Sequence, residues 1–120
     1  MAITGVHALL YTSEPEAVRA ILRDVFEWDN IDGGGGWLIF RLPPAELGVH
    51  PTEGDTAGMG PHHELTLMCD DLEATIGELR GRGVTVEGEP DDQGFGIVVR
   101  LVLPGNLPVL LYEPRHPTAV

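Results

Sequence analysis

Two stretches of the chain carry apolar residues at helical spacing, and each follows a short apolar run typical of a strand. The first helix is predicted in SEPEAVRAILRDVFEW, where Ser13 and Glu16 have the spacing of a capping box and Pro15 lies in the first turn. The second is predicted in DDLEATIGELRGRG, where Asp70 or Asp71 can cap the start. The apolar faces comprise Val18, Ile21, Leu22, Val25 and Phe26 in the first helix, and Leu72, Ile76 and Leu79 in the second.

The remaining apolar runs are predicted to be strands. ITGVHALLYT precedes the first helix, and WLIFRL and ELGVHP follow it after the turn signal DGGGG. HHELTLMC precedes the second helix, and VTVEGEP, FGIVVRLVLP and PVLLYEP follow it. Each half therefore has a strand, a helix and two or three further strands, which indicates an internal repeat. We expect one domain over residues 1–120, with module 1 at about 3–52, a Gly-rich linker at 53–60 and module 2 at about 61–115.

The two halves can be aligned at their strand-to-helix junctions. HALLYTSEPEA, residues 7–17, then lies over ELTLMCDDLEA, residues 64–74, and His7 matches Glu64. Side chains alternate between the faces of a strand, so the strand before the second helix presents two different surfaces. Leu65, Leu67 and Cys69 are predicted to face the helix, with Cys69 as a small apolar residue rather than a nucleophile. Glu64, Thr66 and Met68 are predicted to face a cavity on the other side.

Charge and composition narrow the classes of partner. The 120 residues include 19 acidic and 7 basic side chains, a net charge of −12, which disfavours nucleic acid and anionic lipid. The same charge either attracts a cationic ligand or serves solubility. No apolar run reaches the roughly 20 residues of a membrane span, and no signal peptide is visible. With a single cysteine as well, we expect a cytoplasmic protein.

Three segments, GVHALLYTSEPEAV, HELTLMCDDLEATIGELRGRGV and LPGNLPVLLYEP, resemble the vicinal oxygen chelate superfamily. This superfamily includes glyoxalase I, extradiol dioxygenases and bleomycin resistance proteins. The resemblance implies an α+β fold of two βαβββ modules, whose mixed sheets form a cavity. It also implies a homodimer, because such proteins commonly complete their sheets or cavities across a two-fold interface.

The resemblance also implies a set of candidate metal ligands. Enzymes of the superfamily place ligands on the first, fourth, fifth and eighth strands, and the matching positions here are His7, Glu46, Glu64 and Leu110. Glu64 replaces the usual histidine, and leucine replaces the usual glutamate unless a shifted register turns Glu113 inward. The cofactor is then either a divalent metal, Zn, Fe, Mn or Ni, or none.

Two functions remain open, so whether the protein is an enzyme is undecided. In the first, it binds a small molecule, either cationic or neutral, with a degraded metal-ligand set and a cavity lined by Trp37, His50, Met68, Leu110 and Tyr112. In the alternative, it is a metal-dependent enzyme of the glyoxalase or dioxygenase type that uses His7, Glu46 and Glu64. A structural alternative also exists, in which Glu46 or Glu64 pairs with His7, His50 or Arg41.

Overall fold

The computed structural model describes residues 2–52 and 60–120, and its two helices agree with the sequence pattern. Helix α1 spans Pro15–Asp24 and helix α2 spans Leu72–Gly81, so the helices have equal length and lie 57 residues apart at both ends. The internal repeat is thus visible in the helices themselves. Within the described residues, neither helix has the length and apolar character required to cross a membrane.

The two helices begin differently. Asp71 caps α2, because its carboxylate accepts a hydrogen bond from the Ala74 amide at 3.1 Å. The capping box predicted for α1 with Ser13 is wrong, since the N-cap residue is Glu14 and no side chain caps the helix. The Glu14 carboxylate instead accepts a hydrogen bond from the Gly105 amide, which lies in a turn of the second module.

The strands form two sheets. Strands β1 (Asn30–Asp32) and β2 (Leu38–Phe40) form an antiparallel hairpin around the predicted DGGGG turn. Strands β3 (Thr66–Met68), β4 (Thr85–Asp92), β5 (Gly96–Leu103) and β6 (Leu107–Pro114) form a four-stranded sheet in the order β3-β6-β5-β4. β3 is parallel to β6 and the other pairs are antiparallel, so the predicted α+β class with a mixed sheet is confirmed.

The core lies on one face of the four-stranded sheet, where both helices pack. Leu101 is fully buried there, with no exposed surface, and Leu67 of β3 and Cys69, the residue after β3, pack against the same cluster. Burial raises the pKa of the Cys69 thiol, as expected for a small apolar core residue. The cluster comprises Val18, Leu22, Leu72, Ile76, Leu79, Val84, Val86, Val99, Leu101, Leu103, Val109 and Leu111. Neither of the two helices in the described part of the chain packs on the opposite face of the sheet.

Module 1 is less complete than module 2. The structure has no strand at the predicted runs ITGVHALLYT and ELGVHP, and it has a strand at β1 that was not predicted. A strand requires a hydrogen-bonded neighbour, and no pairing within residues 2–52 and 60–120 supplies one for either run. The predicted linker lies outside the described residues except for Gly60.

Candidate functional site

The uncovered face of the four-stranded sheet brings together three of the residues predicted to bind a ligand. Across β3, β6 and β5, Met68 lies beside Tyr112, and Tyr112 lies beside Val98. In a second row across the same strands, Thr66 lies beside Leu110, and Leu110 lies beside Arg100. Directly opposite residues share a face of a sheet, so these side chains form one surface. We call it the open face and define it by Thr66, Met68, Val98, Arg100, Leu110 and Tyr112.

The register of β6 fixes which side chain occupies the fourth ligand position. Glu113 points toward the helices, where its carboxylate accepts a hydrogen bond from the Leu72 amide at 3.0 Å. Alternation then places Leu110 and Tyr112 on the open face. The open face therefore presents leucine where the resemblance implies a metal-binding glutamate.

One end of the open face is aromatic. The rings of Phe95 and Tyr112 meet edge to face at 5.7 Å, and the His116 ring stacks on Tyr112 at 5.9 Å. The Tyr112 hydroxyl and His116 Nε2 also lie 3.0 Å apart, within hydrogen-bond distance. We call Phe95, Tyr112 and His116 the aromatic edge. Sequence reasoning did not place His116 there, because residues 115–120 carry no periodic pattern.

A carboxylate lies near the aromatic edge. Partial burial raises the pKa of Tyr112, and the negative charge of Glu46 raises it further. Glu46 Oε1 accepts a hydrogen bond from the Ala119 amide at 2.7 Å, so Glu46 is held by the same carboxy-terminal tail that carries His116. A carboxylate beside aromatic rings is suited to a cation.

The turn that carries Phe95 is fixed by an ion pair. Arg115 Nη1 lies 2.5 Å from the Asp92 carboxylate, and the Arg115 amide donates to the Phe95 carbonyl at 2.8 Å. A hydrogen bond from the Gly94 amide and the Arg115 guanidinium lower the pKa of Asp92. Phe95 is thereby held beside Tyr112 rather than on a free loop.

Gly96 allows Tyr112 to lie flat against β5. A Cβ at this position would be 2.7 Å from the Glu113 carbonyl oxygen and 2.8 Å from Tyr112 Cδ2. We expect Gly96→Ala to lower the free energy of unfolding by about 1–3 kcal/mol, because the backbone of β6 must shift. Urea denaturation followed by circular dichroism measures this change.

Gly77 supplies the matched control for Gly96. It lies inside α2, where a Cβ would meet nothing within 4 Å. Gly77→Ala is expected to raise the free energy of unfolding by roughly 0.5–1 kcal/mol. A Gly96→Ala variant as stable as the parent protein would contradict the close packing of β5 and β6 at Tyr112.

The candidate metal ligands are engaged elsewhere or unpaired. Glu64 Oε1 lies 3.1 Å from His62 Nε2. The pKa of His62 is raised mainly by the hydrogen bond between its ring and the Gly60 carbonyl, and secondly by the hydrogen bond with Glu64. His7 is exposed and makes no hydrogen bond or ion pair within the described residues. In that part of the chain, no group of three or more His, Cys, Asp or Glu side chains is arranged to hold a metal ion. The donors in residues 2–52 and 60–120 of one chain are therefore not arranged to hold a metal.

Trp37 and His50 lie outside the open face. Trp37 is 69% exposed beside the start of α1, with the Arg19 guanidinium 5.1 Å from its ring centre. It lines an open depression of about 510 Å³ together with Ser13, Glu14, Pro15, Glu16, Ala17 and Arg19. His50 is exposed in the segment where a strand was predicted. Both remain predictions as ligand residues.

Comparison of the sequence with known families and curated proteins gives no match. No family model matches the chain, and no curated protein matches it.

Comparison of the structure with solved structures gives clear matches. TnmS3, an antibiotic binding protein from Streptomyces sp. CB03234, is 25% identical with a TM-score of 0.65, and the match covers 95% of this chain and 98% of that one. A member of the glyoxalase/bleomycin resistance protein/dioxygenase superfamily from Sphaerobacter thermophilus is 18% identical with a TM-score of 0.62 over 94% and 99%. Lactoylglutathione lyase from Agrobacterium tumefaciens is 17% identical with a TM-score of 0.60 over 94% and 96%.

These matches define the class of protein. The chain has the glyoxalase-like fold of the glyoxalase/bleomycin resistance protein/dioxygenase superfamily, as the resemblance to the vicinal oxygen chelate superfamily implied. One of the matched structures is an antibiotic binding protein and another is a lyase, so the fold alone does not choose between binding and catalysis.

Proposed function

We propose that this protein binds a small molecule on the open face and holds it without chemical change. The observation that carries the proposal is the aromatic edge beside an apolar surface that neither α1 nor α2 covers. Ligand sites in proteins are mostly apolar with a few placed polar groups, and Met68, Leu110, Tyr112 and Arg100 supply that combination. The likeness to TnmS3, which is an antibiotic binding protein, supports the same reading.

The proposed ligand is a cationic aromatic molecule. Glu87 and Asp91 lie on β4 opposite Arg100 and Val98, and Glu46 lies near Tyr112, so carboxylates border the open face at three positions. The net charge of −12 adds a long-range field of the same sign. A flat cation can stack on the aromatic edge while its charge faces Glu46.

The proposal does not include a metal. Glu46 and Glu64 are engaged with Ala119 and His62, and the position implied for a fourth ligand holds Leu110. No step of the proposed function therefore passes through a metal ion. We further propose that the binding form is a homodimer, as the resemblance implied.

Binding of ethidium, berberine and bleomycin, measured by calorimetry, tests this function. We expect binding that weakens about tenfold between ionic strengths of about 0.01 M and 0.15 M, where the Debye length falls from about 30 Å to about 8 Å. Coumarin, an uncharged aromatic, is the control and is expected to bind weakly with no dependence on salt. Absence of binding across the cationic panel, or binding that salt leaves unchanged, would contradict the proposal.

A further inference from the structure

The basic side chains of this chain are seven arginines, and they differ in what they contact. The guanidinium groups with a partner in the described chain are those of Arg19, Arg23, Arg80, Arg82 and Arg115. Within residues 2–52 and 60–120, the guanidinium groups of Arg41 and Arg100 contact no acceptor, carboxylate or ring. Arg41 follows β2, outside the four-stranded sheet, whereas Arg100 lies in β5 on the open face. Arg100 is therefore an unpaired cation within the proposed binding surface.

Arg100 lies between a carboxylate and an apolar side chain. Glu87 is directly opposite on β4 and Leu110 is directly opposite on β6, so all three share one face of the sheet. A cross-strand pair of opposite charge is expected to form an ion pair, yet Glu87 and Arg100 form none. Val98 and Val102 precede and follow Arg100 on the same face of β5. The guanidinium group is thus exposed above an apolar surface with its N–H donors available to a ligand.

The open face carries opposite charges at two neighbouring places. Tyr112 lies opposite Val98, and Arg100 is two residues beyond Val98 on β5. Diagonal neighbours of this kind have α-carbons about 7–8 Å apart in an antiparallel pair. The negative charge of Glu46 lies near Tyr112. A ligand stacked on Tyr112 is therefore within reach of a carboxylate on one side and of a guanidinium group on the other.

Guanidinium chemistry defines which group Arg100 can bind. The group is planar, stays charged at physiological pH and forms two parallel hydrogen bonds with a carboxylate. A ligand with positive charge alone is attracted by Glu46 and repelled by Arg100, whereas a ligand with both charges is attracted at both places. We propose that Arg100 binds a carboxylate or similar planar oxyanion of the ligand, so that the open face selects zwitterionic aromatic molecules. The inference rests on the proposed function, because it concerns the same surface, and it adds a second charge to the ligand.

Rhodamine B and its ethyl ester are matched probes for this selection. Both have the same aromatic cation, but only rhodamine B has a free carboxylate, which makes it a zwitterion at neutral pH. In fluorescence anisotropy titrations, we expect the full chain to bind rhodamine B about tenfold more tightly than the ester, because the carboxylate gains charge-assisted hydrogen bonds. The net charge of −12 favours the ester, which is a net cation. A preference for rhodamine B therefore cannot arise from the overall field of the protein.

Substitution of Arg100 tests whether this residue is responsible. Arg100→Gln removes the charge and is expected to bind rhodamine B no more tightly than the ester. Arg100→Lys restores the charge without the planar fork and is expected to retain a preference of about threefold, a rescue that a purely structural effect would not give. Arg41→Gln is the matched control, because Arg41 is also exposed and unpaired within the described residues but lies outside the four-stranded sheet. It should keep the full preference for rhodamine B.

The two dyes separate this inference from the proposed function. If the parent protein bound both dyes equally or the ester more tightly, or if the preference persisted in Arg100→Gln, the inference would be overturned and the proposed function would stand. Binding of neither dye would also overturn the inference, and the cationic panel then decides separately on the proposed function. Circular dichroism checks that each variant is folded, and the comparison of the two dyes on the parent protein depends on no variant.

Discussion

Replacing Leu101 with alanine is expected to lower the free energy of unfolding by about 3 kcal/mol, the largest effect of any single core substitution in this chain. Leu101 has no exposed surface and lies between Val86 and Val109 in the register of the sheet, beneath both helices. Its truncation leaves a cavity that these neighbours can only partly fill. A domain of ordinary stability, about 5–15 kcal/mol, would lose a large share of its total.

Leu110→Ala is the matched control for Leu101→Ala. Leu110 is the same residue type on the neighbouring strand, but it is half-buried on the open face rather than against the helices. We expect it to cost about 1 kcal/mol, because less apolar surface returns to water on unfolding. Urea denaturation followed by circular dichroism compares the two variants. Equal losses would contradict the assignment of one face to the core and the other to the site.

Tyr112→Leu is expected to weaken the binding of ethidium by about 10- to 100-fold while changing stability little. Tyr112 is the centre of the aromatic edge, in contact with both Phe95 and His116, so its loss removes the stacking surface and the cation–π contact together. Leucine retains much of the apolar bulk against Met68 and Val98. Calorimetry with ethidium at low ionic strength measures the affinity.

Tyr112→Phe separates the ring from the hydroxyl. It retains the stacking surface and loses only the hydrogen bond with His116. We expect this variant to bind ethidium within about threefold of the parent protein, since the hydroxyl is paired with His116 and its loss removes none of the stacking surface. A Leu variant that binds as tightly as the parent would remove Tyr112 from the site.

Local signals in the sequence were sufficient to predict α2 and the alternation of β6 in module 2. The cap at Asp71 and the spacing of Leu72, Ile76 and Leu79 define α2, because helix signals lie within a few residues of one another. Alternation in PVLLYEP separates Leu110 and Tyr112 from Glu113 in the same way. β5 was harder to interpret, since FGIVVRLVLP is almost continuously apolar and hides the alternation that places Val98 and Arg100 on the open face.

Contacts between distant parts of the chain could not be predicted from local pattern. The stack of His116 on Tyr112 and the hydrogen bond from Ala119 to Glu46 depend on where the carboxy-terminal tail lies. The strand predicted at ITGVHALLYT has the right composition but no neighbour within the described chain. Strand propensity reports how well a residue suits a sheet, and it does not supply the partner edge.

The most direct test of the central claim is to titrate ¹⁵N-labelled protein with ethidium and map the amide shifts by nuclear magnetic resonance. The account predicts that the largest changes occur at the open face and the aromatic edge, at Met68, Phe95, Arg100 and Tyr112, with little change along α2. If the largest changes instead occurred around Trp37 and the start of α1, where a depression of about 510 Å³ lies, the result would contradict the account and place the site in that depression.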